Sequence, residues 1–350
     1  MATSNIVGTT VFNTRRVIDN AYGMCRVARQ EITAERIETA MDWLFIRLQS
    51  MSNKGIPLWA IQKEILPLYV ARPTVPTPVG TYNVLNLNLR RSSRLTGVAS
   101  ASAGTADNAF DDDFATICTT LANGWIQLAL ASGTRVPMFG ILPGASGTWT
   151  YTIQGSDDGV VFTTIYTATA EAVVDSAWIW FDVEGVEDWS YYRLQASGGT
   201  VLAVRELVFA NTPNEINLAP LNRDDYSTLP DKTALSQPTQ YWLNRQRDVP
   251  LITLWPAPNE QTKLWNLTAY IQRQIMDVGS MRQEIECRNG DYLAIVERLA
   301  ADLVVQDKGA PLELIPILEG KSNVSWAALW DGESDDAPTM LTPNIQPYTA

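Results

Sequence analysis

A strand-like segment of this sequence breaks off and is taken up again far along the chain. The alternating run at 80–91 gives way to a stretch rich in serine, glycine and alanine, and a similar pattern resumes at 214–232. Between them lie short strand-like segments separated by glycine, serine and aspartate, with no segment of helical periodicity. An inserted domain needs its two ends close together at a surface loop of its host. The sequence therefore predicts a host domain interrupted by an all-β domain.

The predicted boundaries divide the chain into four parts. Residues 1–92 are the N-terminal helical part of the host, and residues 93–212 are the inserted β-sandwich. Residues 213–332 contain a long β-hairpin and the C-terminal helices, and residues 333–350 form a flexible C-terminal arm. This arm is either a solubilising end or a segment that becomes ordered on a neighbouring subunit. The expected fold class is α+β, a helical domain with a long β-hairpin that is interrupted by an all-β jelly-roll sandwich.

The host elements are predicted from periodicity. Apolar residues recur at helical spacing in 14–30 and 33–51, and a third helix is expected from Pro57 to Leu66. Two long strands at 241–255 and 263–275, joined by a proline-containing turn, predict an extended β-hairpin.

The composition excludes several function classes. The 350-residue chain has a formal net charge of −12, which argues against a broad phosphate-binding surface because such a surface needs clustered lysine and arginine. The chain has no histidine, so the commonest general base and zinc ligand is missing. The three cysteines are far apart and are expected to be free thiols in a reducing compartment. No signal peptide and no apolar run of about 20 residues is recognised, so we expect synthesis in a cytoplasm and no membrane span.

The insert carries motifs of a known family. ADNAFDDDFATICTT at 106–120, followed by GWIQLAL, resembles the first motif of discoidin-like domains, also called coagulation factor 5/8 type C domains. YTIQGSDDGVVFTTIY at 151–166 is similar to their central strand and turn, and YYRLQASGGTVLAVRELVF at 191–209 to their closing strands. The resemblance covers essentially the whole insert and implies a galactose-binding-like jelly roll.

Many domains of this family hold a structural calcium ion. The resemblance implies Asp111, Asp113 and Thr116 of the acidic loop and Glu206 of the last strand as its ligands, an oxygen-rich set that suits a hard cation. The alternative is that the aspartates cap a turn and remain solvated. The sequence departs from the family at Asp112, where glycine is usual.

Sugar-binding members of this family use loop aromatics with an arginine or asparagine, and often a histidine. Trp125, Trp149, Trp178 and Trp189 are the candidate sugar-stacking residues here. Most of them fall at strand positions, where burial in a core is the favoured interpretation. Glycan binding by the insert and contact with another subunit therefore both remain open.

The host resembles a second family. RVIDNAYGMCRVARQEITAERIETAMDWLFIRLQSMSNKGIPLW at 16–59 is similar to the N-terminal helices of head-to-tail adaptor proteins of short-tailed bacteriophages, also called tail accessory or packaged-DNA stabilisation proteins. The segment 223–279 resembles their central part, with WPAP at 255–258 in place of YP-x-P and Gln237 where glycine is common. The resemblance covers most of the host.

This second resemblance implies a structural virion protein of the neck or tail, made in the cytoplasm of a bacterial host. It would form a ring, commonly of twelve copies, that joins the portal protein to the tail and extends the DNA channel. The ring would retain the packaged genome and pass it during ejection. Tail nozzle, fibre or spike proteins are further expected partners. An acidic channel lining would repel phosphates, so double-stranded DNA would pass without specific binding.

Two alternatives accompany this interpretation. The first is a glycan-binding or tail-fibre-docking protein that acts through the inserted β-sandwich. The second is a peptidoglycan-cleaving enzyme with Glu31 and Glu35 as its carboxylates. Both glutamates fall at a predicted helix start, where capping and the helix dipole explain them better. We therefore expect no enzymatic activity.

Overall fold

The computed structural model describes residues 12–53, 60–91, 93–184, 186–211, 214–247, 249–276, 279–306, 311 and 313–332. The predicted helix start at Pro57 and the predicted arm at 333–350 lie outside these residues. The chain divides into two compact units, residues 1–61 with 272–350, and residues 62–271.

The secondary structure combines five helices and nineteen strands within the described residues. The helices are α1 (Thr14–Met24), α2 (Ala34–Asn53), α3 (Arg223–Thr228), α4 (Tyr292–Gln306) and α5 (Leu314–Gly332). The strands before residue 120 begin with β1 (Ile61–Pro67), β2 (Thr74–Pro76), β3 (Thr81–Arg91), β4 (Val98–Ala101) and β5 (Cys118–Ala122). The strands between residues 125 and 210 are β6 (Trp125–Arg135), β7 (Met138–Pro143), β8 (Gly147–Ser156), β9 (Thr163–Val173), β10 (Ile179–Asp182), β11 (Asp188–Ala196) and β12 (Val201–Ala210). The last are β13 (Asn214–Asn217), β14 (Ala219–Leu221), β15 (Leu235–Ser236), β16 (Gln240–Asn244), β17 (Leu251–Trp255), β18 (Ala257–Pro258) and β19 (Asn266–Arg273).

The first unit is helical, and residues from both ends of the sequence share its core. Helix α1 begins after Asn13, whose side-chain oxygen accepts a hydrogen bond from the Arg16 amide at 2.9 Å. The apolar faces of α1, α2, α4 and α5 meet in one core that includes Val17, Ile18, Leu44, Leu48, Leu299, Leu303 and Leu318. Arg47 of α2 donates two hydrogen bonds to the Asp302 carboxylate of α4. The N-terminal and C-terminal helices therefore form a single body.

The inserted segment folds as a β-sandwich. One sheet has the strand order β10-β7-β12-β5 and the other the order β4-β6-β11-β8-β9. Alternate residues of both sheets point into one shared core, which contains Phe139, Tyr151, Tyr192 and Phe209. The strand pattern of this segment therefore folds as a two-sheet sandwich, and the helices belong to the other unit.

The two ends of the insert lie side by side. Strand β13 pairs with β3 in antiparallel register from Asn214 opposite Arg91 to Asn217 opposite Asn88. Directly beyond this pairing, Arg94 forms a bridge with Ala210, and the Leu95 amide donates to the Phe209 carbonyl at 2.8 Å. The strand interrupted in the sequence is therefore continued across the insertion point by hydrogen bonding.

The predicted long β-hairpin is wrong. Segment 241–255 is itself a hairpin, in which β16 pairs with β17. Strand β19, expected as the partner of that segment, instead lies between β1 and β3 in a separate sheet. The predicted helix reaching Leu66 is also wrong, because β1 is a strand of that sheet. The spacing of a short apolar run fits a helix or a strand and does not identify its partner. Pairing between distant segments determined that β1 is a strand and that β19 pairs with β1 and β3.

The β-sandwich packs closely on the host strands of the same compact unit. Met138, Trp178 and Trp180 of the sandwich form an apolar cluster with Ile65 and Leu264 of the host. The predicted boundary near residues 92 and 213 therefore does not coincide with a boundary between compact units, which falls near residues 61 and 272. Within the described residues, no helix combines the length and apolar character needed to cross a membrane.

A buried ion pair reinforces this packing. The Arg90 guanidinium of β3 lies 2.7 Å from Asp182 of β10, and only 6% of its side chain is exposed. We expect Arg90→Ala to lower the free energy of unfolding by about 3 kcal/mol, because it removes a buried guanidinium that contacts both Asp182 and Glu215 and leaves only the more exposed Lys63 beside Asp182. Urea denaturation of the full chain measures this loss.

Lys63→Ala provides the matched control for Arg90→Ala. Lys63 contacts the same carboxylate at 3.0 Å, but its side chain is 41% exposed. Solvent screening should limit the loss for Lys63→Ala to about 1 kcal/mol or less. Equal losses for the two variants would contradict a role for burial in this ion pair.

Candidate functional site

The candidate site is the outer face of the five-stranded sheet of the sandwich. In β11, Tyr192 and Leu194 point into the core, so Tyr191 and Arg193 point to the opposite face. The pairing register sets Arg193 opposite Gln127 of β6 and opposite Gln154 of β8. Directly opposite residues of an antiparallel sheet share a face, so three strands contribute neighbouring side chains here.

Arg193 is held in place by an aromatic ring and an amide. Its guanidinium carbon lies 3.5 Å from the centroid of the Phe162 ring, a close cation–π contact, and its Nε donates to Oε1 of Gln154 at 2.6 Å. No described residue forms an ion pair with Arg193, and partial burial lowers the pKa of its guanidinium. Its two terminal nitrogens form no hydrogen bond within the described residues. Among the described residues, Arg193 is therefore a positioned cation whose terminal nitrogens have no partner.

Aromatic and amide side chains surround Arg193. We define the sheet platform as Trp125, Gln127, Gln154, Phe162, Tyr191 and Arg193. Trp125 and Gln127 alternate with buried Ile126 and Leu128 along β6, which places them on the outer face. Within the described part of the chain, the Gln127 amide forms no hydrogen bond. The platform thus offers flat rings beside unoccupied hydrogen-bonding groups.

The turn before Phe162 is held by a single carboxylate. The Asp158 side chain accepts hydrogen bonds from the amides of Val160 and Val161 at 2.8 and 2.9 Å, and from the Ser156 hydroxyl at 2.9 Å. These bonds, the Val161 amide first, hold the pKa of Asp158 below its usual range. Gly159 has a φ of +71°, and a side chain there would crowd the Tyr191 ring. The turn therefore presents Phe162 in a fixed position over the sheet.

The four candidate tryptophans have different environments. Trp149 and Trp178 are buried, with 4% and 6% exposure, and pack in two different apolar clusters. Trp189 lies at a bulge of β11, with its ring against Gly155, where a Cβ would come within 2.4 Å of it. Only Trp125 of the four belongs to the sheet platform. The sequence analysis did not identify Arg193 or Phe162 as site residues. The alternation in YYRLQA does place Arg193 on the face of the strand that points away from the core.

The residues implied as calcium ligands are bonded to one another and to other groups of the chain. The Thr116 hydroxyl lies 2.9 Å from Oδ2 of Asp111, and the Asp113 amide donates to Oδ1 of Asp111 at 2.9 Å. Glu206 is fully buried, accepts from the Asp112 amide at 3.1 Å and contacts a guanidinium. Among the described residues, no three histidine, cysteine, aspartate or glutamate side chains are arranged to hold a metal ion. Both Glu206 oxygens are bonded by the protein itself, so Glu206 is not free to complete a calcium site with Asp111 and Thr116.

Comparison with known proteins adds a set of carbohydrate-binding modules. No protein-family model and no curated protein matches the sequence. Among solved structures, chitosan-binding module 1 from a chitosanase/glucanase of Paenibacillus sp. IK-5 is 23% identical, with a TM-score of 0.30, over 35% of this chain and 99% of that module.

Two further structures give a similar result. CBM62 from Clostridium thermocellum Xyl5A is 23% identical, with a TM-score of 0.31, over 35% of this chain and 98% of that one. A Clostridium perfringens module, CpGH89CBM32-5, in complex with GalNAc-β-1,3-galactose, is 20% identical, with a TM-score of 0.29, over 33% and 94%. Scores near 0.30 do not by themselves show a shared fold, so the β-sandwich is established here by its strand order and its core.

Proposed function

We propose that the β-sandwich binds carbohydrate at the sheet platform. The observation that carries this proposal is Arg193, a positioned guanidinium that stacks on Phe162 and lies beside Gln127 and Gln154. Aromatic rings pack against the apolar faces of sugar rings, and amide and guanidinium groups form hydrogen bonds with sugar hydroxyls. Small-molecule sites commonly combine aromatic side chains with a few such polar groups. The resemblance of the insert to discoidin-like domains supports the same function.

The charge of the platform indicates the class of saccharide. Arg193 has no carboxylate partner among the described residues, and a guanidinium matches a carboxylate with two parallel hydrogen bonds. A uronic acid or another acidic sugar would supply that carboxylate. We therefore propose an acidic oligosaccharide as the preferred ligand.

A glycan array with the full chain tests this proposal. Neutral oligosaccharides and their uronate-containing counterparts are compared at low and high salt. We expect the acidic members to be retained more strongly, and we expect this preference to shrink with salt because exposed charges are screened. Absence of binding to every saccharide at millimolar concentration would overturn the proposal. Equal retention of acidic and neutral members would overturn the ligand class alone.

We propose a second function for the host, the phage neck adaptor. What supports it is the resemblance of 16–59 and 223–279 to adaptor proteins, together with the single core that α1 and α2 share with α4 and α5. In this role copies of the chain form a ring, commonly of twelve, between the portal protein and the tail nozzle or spikes. The ring surrounds double-stranded DNA in the virion and has no enzymatic activity.

Electron cryomicroscopy of the virion neck tests the adaptor function. A ring of copies between portal and tail, with the β-sandwiches on its outside, is the expected result. Density for this chain only at fibre tips, or nowhere in the particle, would overturn the adaptor proposal and leave the carbohydrate proposal standing.

A further inference from the structure

Arg94, at the point where the chain enters the β-sandwich, contacts the acidic loop at 110–116. Arg94 lies next to the last strand through its bridge with Ala210. Its guanidinium donates to the Phe110 carbonyl at 2.6 Å and lies 2.7 Å from Oδ1 of Asp112. The same guanidinium forms a short hydrogen bond to Glu206. Arg94 thus contacts two carboxylates and one carbonyl, the kinds of oxygen that a calcium ion takes as ligands.

Both oxygens of Glu206 are engaged by the protein. Oε1 accepts from Arg94, and Oε2 accepts from the Asp112 amide at 3.1 Å. The Glu206 side chain has no exposed surface, whereas that of Arg94 is 14% exposed. Arg94 is therefore the cation in direct contact with this buried carboxylate.

The departure from the family pattern at Asp112 agrees with this arrangement. Asp112 has a φ of +62°, the left-handed conformation that favours the glycine usual at this position. The aspartate side chain instead lies against Arg94, so the unusual residue and the guanidinium interact directly. A second cation, Lys263, donates to the Asp112 carbonyl at 2.7 Å. A divalent ion in this loop would therefore meet two positive groups at short range.

We propose that the guanidinium of Arg94 takes the place of a calcium ion in this acidic loop, so that the β-sandwich is ordered without a metal. A guanidinium is permanently charged and its planar fork matches carboxylates, which suits it to a buried position beside Glu206. The positive charge that balances the Asp112 and Glu206 carboxylates then comes from Arg94 rather than from a bound metal ion. The stability of the loop does not depend on the calcium concentration of the compartment.

The test compares the melting temperature of the full chain in calcium and in EGTA. For the wild-type chain we expect the same melting temperature in 5 mM CaCl₂ and in EGTA, to within about 1 °C. For Arg94→Ala we expect a lower melting temperature in EGTA and a rise of about 3 °C or more on adding calcium, because the vacated carboxylates bind the ion. Arg205→Ala is the matched control, since Arg205 lies on the same strand as Glu206, pairs with Asp175 at 3.1 Å and donates to the Phe114 carbonyl of the same loop at 2.9 Å, but forms no bond with Glu206 among the described residues. That variant should not respond to calcium.

Two outcomes would overturn the proposal. One is a wild-type chain that calcium stabilises or that EGTA destabilises. The other is an Arg94→Ala chain that folds and shows no response to calcium. Should Arg94→Ala not fold, Arg94→Gln keeps a donor for the Phe110 carbonyl and removes the charge, and the same two measurements are made on it. Calorimetric titration of the wild-type chain with calcium decides the first outcome without any variant.

Discussion

Replacing Arg193 with alanine is expected to lower the affinity for acidic oligosaccharides by about tenfold to a hundredfold. A charge-assisted hydrogen bond contributes about 1.5–3 kcal/mol, and each 1.4 kcal/mol corresponds to a factor of ten in the dissociation constant. The fold should persist, because Arg193 lies on the outer face and its contacts are with Phe162 and Gln154. Isothermal titration with the best saccharide from the array measures the loss.

Two further variants distinguish the role of Arg193 from a general loss of charge. Arg205→Ala removes a guanidinium from the other sheet, where it is paired with Asp175, and should leave the affinity unchanged. Arg193→Lys keeps the charge but loses the planar fork, so it should restore only part of the affinity. Wild-type affinity in Arg193→Ala would rule out the sheet platform as the binding site, even if the sandwich binds sugar elsewhere.

Replacing Phe139 with alanine is expected to lower the free energy of unfolding by about 3–5 kcal/mol, the range for large aromatic side chains in a core. Phe139 is fully buried. Its ring stacks on Phe181 with centroids 5.5 Å apart and meets Phe209 edge-on at 5.7 Å. Deleting it leaves a cavity between the two sheets that these neighbours fill only in part. Chemical denaturation followed by tryptophan fluorescence measures the change.

Phe162→Ala is the counterpart on the surface of the same domain. Phe162 contacts Arg193 on the outer face and takes no part in the sandwich core. We expect a stability change below about 1 kcal/mol together with a clear loss of saccharide affinity. If Phe162→Ala destabilised the chain as much as Phe139→Ala, the ring would be part of the core rather than of a binding surface.

The local patterns of the sequence anticipated the elements whose signals are local. Alternation predicted the strands of the sandwich, because residues two apart on a strand face the same side. The helical spacing at 14–30 and 33–51 predicted α1 and α2, since the apolar stripe of each helix lies on its buried face. Helix α1 is shorter than predicted and ends at Met24, two residues before the left-handed backbone of Arg26. The unusual residue at Asp112 was visible as a departure, and the structure shows the left-handed backbone that makes it unusual.

Other features depend on which distant segments meet. The sequence predicted that the segment containing β19 pairs with 241–255, but β19 lies between β1 and β3, which are far away along the chain. The spacing at Ile61, Ile65 and Leu66 fits a helix as well as a strand, and pairing with β19 decided for a strand. Hydrogen bonding between segments of a sheet has no local signature, so propensity alone could not choose.

The sequence by itself determined that an all-β domain interrupts a host, because alternation, turn residues and the resumed strand are all properties of neighbouring positions. Only the tertiary structure brought Arg94 to Glu206 and Arg193 to Phe162. Each of these contacts joins residues that are well separated along the chain. The bridge between Arg94 and Ala210 at the insertion point brings Arg94 to Glu206, and the register of β11 against β8 brings Arg193 to the turn that carries Phe162. The charge and shape of both sites arise from those contacts. The motifs indicated the acidic loop and Glu206, but they did not reveal either contact.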